Sequence, residues 1–412
     1  MKSILMVAFH YPPFEGGSGI HRALKFSRYF PELGWRPLVL SANPRAYPQV
    51  SHERLHEIPD GVLVKRAFAL DTARQLAFYG RYPKWLAFPD RWVSWWLGAV
   101  PAGLRLIRKH KPQLIWSTYP VATAHLIALT LHRLSGIPWV ADFRDSMTED
   151  DYPTDPTVRN IYRWIERHTV NHCERAVFTT PGALRMYESR YPAIPQSRWQ
   201  VISNGYDDED FILAEKLVAA KKASCGPITL LHSGVLYPSE RDPLAFFSAL
   251  AELRQTQQIS PAMVKIVLRG CGHEEFYTRE IKNNQIEDIV KLEPPIPYHR
   301  ALAETLTADG LLIFQASNCN HQIPAKVYEY LRAKRPILAL TDSAGDTASL
   351  LEKVGLNDIV SLDSREEIAQ GVLDFLTKLR HGTAPIASDA QIALLSRKAK
   401  TVELVNLLSS LN

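Results

Sequence analysis

Short, unbroken apolar runs recur along this chain with helix-length spacers between them, and that alternation leaves few folds open. In the first half, Ser3 to Phe9, Arg36-Pro37-Leu38-Val39-Leu40, Leu114-Ile115-Trp116-Ser117 and Pro138-Trp139-Val140-Ala141-Asp142 read as strands. They lack polar alternation, so both faces of each strand need cover, as in a mostly parallel sheet between helical layers. One helix runs through Arg22, Leu24, Phe26, Phe30 and Leu33 and is closed by Gly34; another runs from Ala122 to Leu134 and ends near Gly136.

A second strand series begins at Ile228 to Gly234 and continues through Lys265 to Gly270, Ile289 to Leu292, Gly310 to Phe314 and Pro336 to Leu340. Between the series lies an acidic, turn-forming stretch, Asn204 to Asp210, then a lysine-bearing helix leading to Cys225-Gly226-Pro227. A chain of 412 residues also exceeds one comfortable core. The expected class is α/β with two Rossmann-like domains: residues 1–205, a linker over 206–226, a second domain over 227–390, and a C-terminal helix over 391–412 that packs back toward the first domain. Open parallel sheets take ligands beyond the carboxyl ends of their strands, so a cleft between facing strand ends is expected.

Hydrophobic residues make up 46% of the chain and charged residues 22%, which excludes a disordered class. The net charge of +5 is too small an excess to call for nucleic acid. The opening apolar run stops at His10-Tyr11-Pro12-Pro13 without a small-residue cleavage site, and nothing approaches the roughly 18 to 20 apolar residues of a spanning helix. The four cysteines, Cys173, Cys225, Cys271 and Cys319, form no close pair, so a reducing cytoplasm is the expected compartment. No His/Asp pair has convincing ligand spacing, and no metal is expected.

Several strand-end motifs carry chemistry. Gly16, Gly17 and Gly19 lie between the first strand and its helix, where bare backbone can approach an anion; a plain flexible turn is the alternative. Arg22 follows in the first turns of the helix, either as a second anion contact or as a surface arginine. Asp142-Phe143-Arg144-Asp145 puts two carboxylates and a guanidinium after a buried strand, as a cluster aimed at substrate or as a turn cap with its own ion pair. His125, near the start of a helix at the same rim, suits a substrate hydroxyl or a structural hydrogen bond equally.

In the second series Gly234 allows close backbone approach and Arg241 follows it, while Arg269-Gly270 ends the next strand in a similar turn. Lys326 and Glu329 stand three apart on one face of a helix that starts after Pro324, so a cation and an acceptor point the same way. They suit a diphosphate and a neighbouring hydroxyl; a surface pair with Arg332 is the alternative. Between Arg81 and Lys111, seven basic residues stand against one acid, Asp90, with Tyr82, Trp85, Phe88, Trp92, Trp95 and Trp96 interleaved. That pattern fits an anionic membrane surface or a helix packed on the first domain.

Together, His10-Tyr11-Pro12-Pro13 through Gly17 and Arg22, Trp116-Ser117-Thr118-Tyr119-Pro120, Val140 to Asp145, and Pro324 to Leu340 resemble the family 4 glycosyltransferases of the GT-B fold, especially bacterial enzymes of surface-polysaccharide synthesis. The resemblance implies two facing Rossmann-like domains with a central cleft. It implies a retaining sugar transfer that needs no protein nucleophile, from a UDP- or GDP-sugar on the second domain to a hydroxyl acceptor on the first. That acceptor is expected to be a glycan or lipid-linked glycan, with the enzyme peripheral on the cytoplasmic face of the inner membrane and no separate cofactor. Arg144, Asp145, His125, Arg241 and Lys326 take the catalytic roles, and Gly16, Gly17, Arg22, Gly234, Arg241, Arg269, Lys326 and Glu329 the donor contacts.

Three departures from the commonest family pattern stand out. Gln322 occupies the place seven before Glu329 where a second glutamate is usual; the Arg-x4-Lys phosphate pair is reduced to Arg241; and Arg144 precedes Asp145 where many relatives have histidine. A nucleotide-sugar epimerase or hydrolase, and a non-catalytic nucleotide-sugar-binding subunit, remain the alternatives. A nicotinamide dehydrogenase lacks its glycine fingerprint here.

Overall fold

A computed structural model describes residues 1–16, 18–149, 152–218 and 226–411. The chain divides into two compact units, Met1–Asn204 with Arg397–Asn412, and Gly205–Ser396. The sheet of the first unit contains β1 (Lys2–Val7), β2 (Trp35–Ala42), β3 (Leu63–Ala67), β4 (Leu114–Thr118), β5 (Trp139–Phe143), β6 (Arg175–Phe178) and β7 (Trp199–Val201). All pairings are parallel, in the order β3-β2-β1-β4-β5-β6-β7. Ile4, Leu5, Met6 and Val7 are all fully buried, as an unbroken apolar strand between two helical layers must be.

The helix His21–Tyr29 covers one face of this sheet through Ala23, Leu24 and Phe26, which join a core cluster with Ile4, Met6, Trp116 and Val140. Leu404, Val405 and Leu408 of the last helix, Arg397–Ser409, complete the same cluster, so the end of the chain belongs to the first unit. Lys398 reinforces this at the surface, 2.7 Å from Glu32.

The second unit holds β8 (Ile228–Ser233), β9 (Val264–Arg269), β10 (Val290–Glu293), β11 (Gly310–Phe314), β12 (Ile337–Leu340) and β13 (Ile359–Val360), again parallel, in the order β10-β9-β8-β11-β12-β13. In each sheet the strand order reverses once, between β1 and β4 and between β8 and β11. Connections diverge to opposite faces there and leave room for a ligand at the strand ends.

The stretch expected as a linker carries the lysine-bearing helix expected within it. Asp207 caps a helix, Asp208–Leu217, whose Phe211 and Ala214 sit three apart and are buried with Leu302, Ala303 and Leu331 of the second unit. Residues 219–225, including Cys225, lie outside the described residues.

The basic aromatic segment also divides. Trp95 is fully buried, Trp92 donates its Nε1–H to the Ala46 carbonyl at 3.1 Å, and Trp96 donates to Thr130 Oγ1 at 3.0 Å. Only Trp85 of the four tryptophans there is largely free, at 68% exposed. Among the described residues no helix is long and apolar enough to cross a membrane.

Candidate functional site

At the β8/β11 reversal of the second unit, the loop after β8 and the loop after β11 are knitted together. Ala316 N donates to Glu240 O at 2.8 Å and Asn318 Nδ2 to Ser239 O at 2.9 Å. The second loop ends at Pro324, whose extended conformation turns the chain into the helix Ala325–Ala333. Lys326 is the second residue of that helix and reaches the end of β8, where its Nζ lies 2.9 Å from His232 Nε2.

His232 is fully buried, and its Nδ1 lies 2.9 Å from the Leu312 carbonyl. A carbonyl only accepts, so Nδ1 carries the proton and Nε2 is left as an acceptor for the lysine. Burial first, then the Lys326 charge, hold this imidazole well below its usual range, so it is neutral at physiological pH. Lys326 is itself pulled down to about 7, chiefly by desolvation and then by Arg241, with Glu329 opposing.

Gly234 makes room for this arrangement. Its φ of 113° lies where only glycine sits comfortably, and a Cβ there would stand 3.0 Å from Lys326 Nζ. Glu329, three residues along the helix from Lys326, accepts a 2.7 Å hydrogen bond from Tyr298 Oη. Tyr330 Oη receives the Ser233 N–H at 2.9 Å and ties the helix to the strand end. Arg241 lies over the Tyr237 ring at 5.5 Å, its charge felt at both Lys326 and His232.

Arg269, expected as a donor contact, is engaged within its own unit. Its guanidinium is 2.7 Å from Glu304 and 3.5 Å from Glu293, and it also donates to the Pro294 carbonyl at 2.9 Å. Two carboxylates on neighbouring elements occupy it, so it braces the end of β9.

In the first unit the loop after β1 is shaped by stacking: the His10 ring lies on Phe14 with centroids 4.4 Å apart. Gly16 is needed because a Cβ would fall 2.9 Å from the Phe14 ring. Gly17 lies outside the described residues. Arg144 joins this loop to the end of β5, donating from Nη1 to the Gly19 carbonyl at 2.6 Å. Burial, with the Arg144 charge second, drives the His10 imidazole down to about 3, so it stays neutral. Asp145 is exposed beside the cluster.

Two expected contacts of the first unit turn inward. Arg22 is 3% exposed; it grips both oxygens of the fully buried Asp142, at 2.7 to 3.1 Å, and donates to the carbonyls of Ile202 and Ser203. All three guanidinium nitrogens are thus engaged within the first unit. His125 is fully buried, its Nδ1 2.8 Å from Ser117 Oγ and its ring 4.9 Å from that of Phe143. The Nδ1 contact is a structural hydrogen bond, while the buried Nε2 makes none.

His232 and Tyr298 are the partners that sequence reasoning missed. His232 had one local signal: a single polar ring in a buried strand, two residues before a glycine. Among the described residues no cluster of side chains is arranged to hold a metal ion.

Residues 18–205 match the family model described as a glycosyl transferase 4-like domain. No curated protein sequence matches the chain. Among solved structures, a sucrose-phosphate synthase from Thermosynechococcus elongatus superposes with a TM-score of 0.68 at 14% identity, covering 100% of this chain and 99% of that one. Anabaena HepE, solved with UDP and glucose, gives a TM-score of 0.67 at 15% identity with both chains fully covered. The lipopolysaccharide outer core galactosyltransferase WaaB gives 0.62 at 11%, again over the full length of both. These likenesses are likenesses of fold.

Proposed function

We propose that this chain, which has the GT-B fold and a match to a glycosyl transferase 4-like domain over residues 18–205, is a glycosyltransferase that moves a sugar, with retention of configuration, from a nucleotide diphospho-sugar to a hydroxyl of a glycan or lipid-linked glycan. The observation that carries this is the pairing of Lys326 and Glu329 on one helix face beside Gly234, at the point where the strand order of the second unit reverses. A cation and a carboxylate acceptor spaced by one helical turn suit a diphosphate and the hydroxyls next to it.

In the transfer, the bond between the anomeric carbon and the diphosphate oxygen breaks while one to the acceptor oxygen forms, and the acceptor proton passes to the departing phosphate. Negative charge accumulates on the diphosphate, where Lys326 and Arg241 stabilise it. Glu329 accepts from donor hydroxyls. Arg144, held on the Gly19 carbonyl, and the exposed Asp145 position the acceptor. Arg22, Arg269 and His125 are given no direct part in this scheme, because each is held by protein groups.

The acceptor reading draws support from one surface of the first unit. Phe78, Tyr79 and Trp85 are 78%, 91% and 68% exposed, with Arg81 and Lys84 exposed among them. Aromatic tips interleaved with cations favour the interface of an anionic membrane, where a lipid-linked acceptor resides.

The test is a panel of UDP- and GDP-sugars incubated with the protein and membrane extract, with mass identification of the labelled acceptor. Transfer from one donor with the anomeric configuration kept is the expected result. Failure with every donor by a folded protein overturns the reading, and rapid turnover of donor alone would instead favour an epimerase or hydrolase.

A further inference from the structure

We propose that His232 is a positioning residue for donor binding, its Nε2 accepting one N–H of Lys326 so that the other two N–H bonds are presented to the diphosphate. The proposal rests on the assignment of Lys326 to the donor phosphates.

A lysine is a poor fixed donor when left alone. Its four-carbon stem is flexible and its ammonium is a compact charge with no planar fork to orient it. Holding such a group in one place before a ligand arrives removes the ordering cost from the binding step. His232 supplies the hold from a position that is itself over-determined. The ring is fully buried at the end of β8, and its Nδ1–H is committed to the Leu312 carbonyl at 2.9 Å. The tautomer is therefore set, and Nε2, 2.9 Å from Lys326 Nζ, can only accept.

The surroundings narrow the lysine further. On the β8 side the missing Cβ of Gly234 leaves a gap that a methyl group would close to 3.0 Å from Nζ. On its own helix Glu329 attracts the ammonium, and from the loop after β8 Arg241 repels it. Desolvation and Arg241 lower Lys326 to about 7 in the absence of donor. A diphosphate placed against Nζ restores the charged form, so donor binding above neutral pH draws in a proton.

The experiment measures UDP and GDP affinity of the full-length protein by titration calorimetry for wild type, H232L, H232N, H232Q, K326A and the H232L/K326A double variant. Leucine removes the acceptor, asparagine ends short of Lys326, and glutamine brings a carbonyl oxygen to the place of Nε2. The expected outcome is a loss of about tenfold for H232L and H232N, equivalent to about 1.4 kcal/mol, with most of the affinity regained in H232Q. In the double variant the H232L effect disappears, because its object is gone. Equal affinity of wild type and H232N, or an undiminished H232L effect in the K326A background, overturns the proposal. Should H232L fail to fold, H232N against H232Q decides the matter by itself. Wild-type protein that binds neither UDP nor GDP overturns the donor-site assignment and this proposal with it; intact wild-type binding with indifferent His232 variants overturns this proposal alone.

Discussion

The Arg22 guanidinium is clamped on the Asp142 carboxylate, Nη2 lying 2.7 Å from Oδ1, with both side chains buried and the partners 120 residues apart in the chain. Thr118 donates a further 2.8 Å bond to Asp142 Oδ2. This pair links the first helix of the first unit to the end of β5, and so sets the position of the Arg144-Asp145 segment that follows.

Replacing one member strands the other charge in the interior. Arg22→Met should lower the stability of the first unit by about 3 to 5 kcal/mol, while the KM for donor in whatever enzyme remains folded should stay within about twofold. All nine tryptophans lie at or before Trp199, so guanidinium unfolding followed by tryptophan fluorescence reads the first unit selectively. An unchanged midpoint would show that the pair contributes nothing.

Lys326→Ala should reduce kcat by about 10² to 10³, the usual effect of removing a donor aimed at developing negative charge. With the ammonium lowered to about 7 and the charged form the active one, kcat/KM should fall as pH rises past 7, by about tenfold per unit. Arginine keeps its charge throughout this range, so Lys326→Arg should lose that alkaline limb whatever its absolute rate. Initial-rate profiles from pH 6 to 9 test both statements.

Acid should weaken the first unit through its buried imidazoles. His10 and His125 are each lowered from 6.5 to about 3 in the folded chain, mainly by desolvation. Below pH 6.5 the unfolded chain binds protons that the folded one refuses, so stability falls as pH drops and the loss is complete only near pH 3. At pH 4.5 each histidine should cost about 2 to 3 kcal/mol relative to pH 7. His125→Asn should be less stable at pH 7 yet show a shallower decline toward pH 4.5, measured by the same fluorescence signal.

The exposed loop can be tested without disturbing the core. Phe78→Ser, Tyr79→Ser and Trp85→Ser combined should leave the thermal midpoint within about 2 °C, since exposed substitutions rarely exceed 0.5 kcal/mol. Binding to vesicles containing anionic phospholipid should fall at least tenfold in a sedimentation assay, and should already be salt-sensitive in the wild type. Equal binding by the triple variant would remove this loop from the membrane reading.

Much of the fold was open to inspection because strand and helix periodicities are local. Leu5 to Val7 and Leu312 to Phe314 declare buried strands by their unbroken apolarity, and Lys326 and Glu329 declare a shared face by their spacing of three. The strands β3, β6, β7 and β13 are harder to see, since Leu63–Ala67 includes Lys65 and Arg66, β6 opens on Arg175, and β7 and β13 are only three and two residues long. Composition could not separate Trp85 from Trp95 either: the same side chain is 68% exposed at one position and fully buried at the other.

Residue order thus specified two parallel α/β sheets, their breaks, and the cation–carboxylate face that begins after Pro324. Which polar groups are free to meet a ligand was decided only by folding. Arg22, Arg269 and His125 have the right chemistry at strand ends or helix starts, yet Asp142, Glu304 and the Ser117-Phe143 neighbourhood claim them first. Lys326 gains its most informative partner, His232, from 94 residues away. Availability is a property of long-range contacts, because a side chain's charge and donors are spent on whatever the packed sheet places beside them, and no local spacing encodes that.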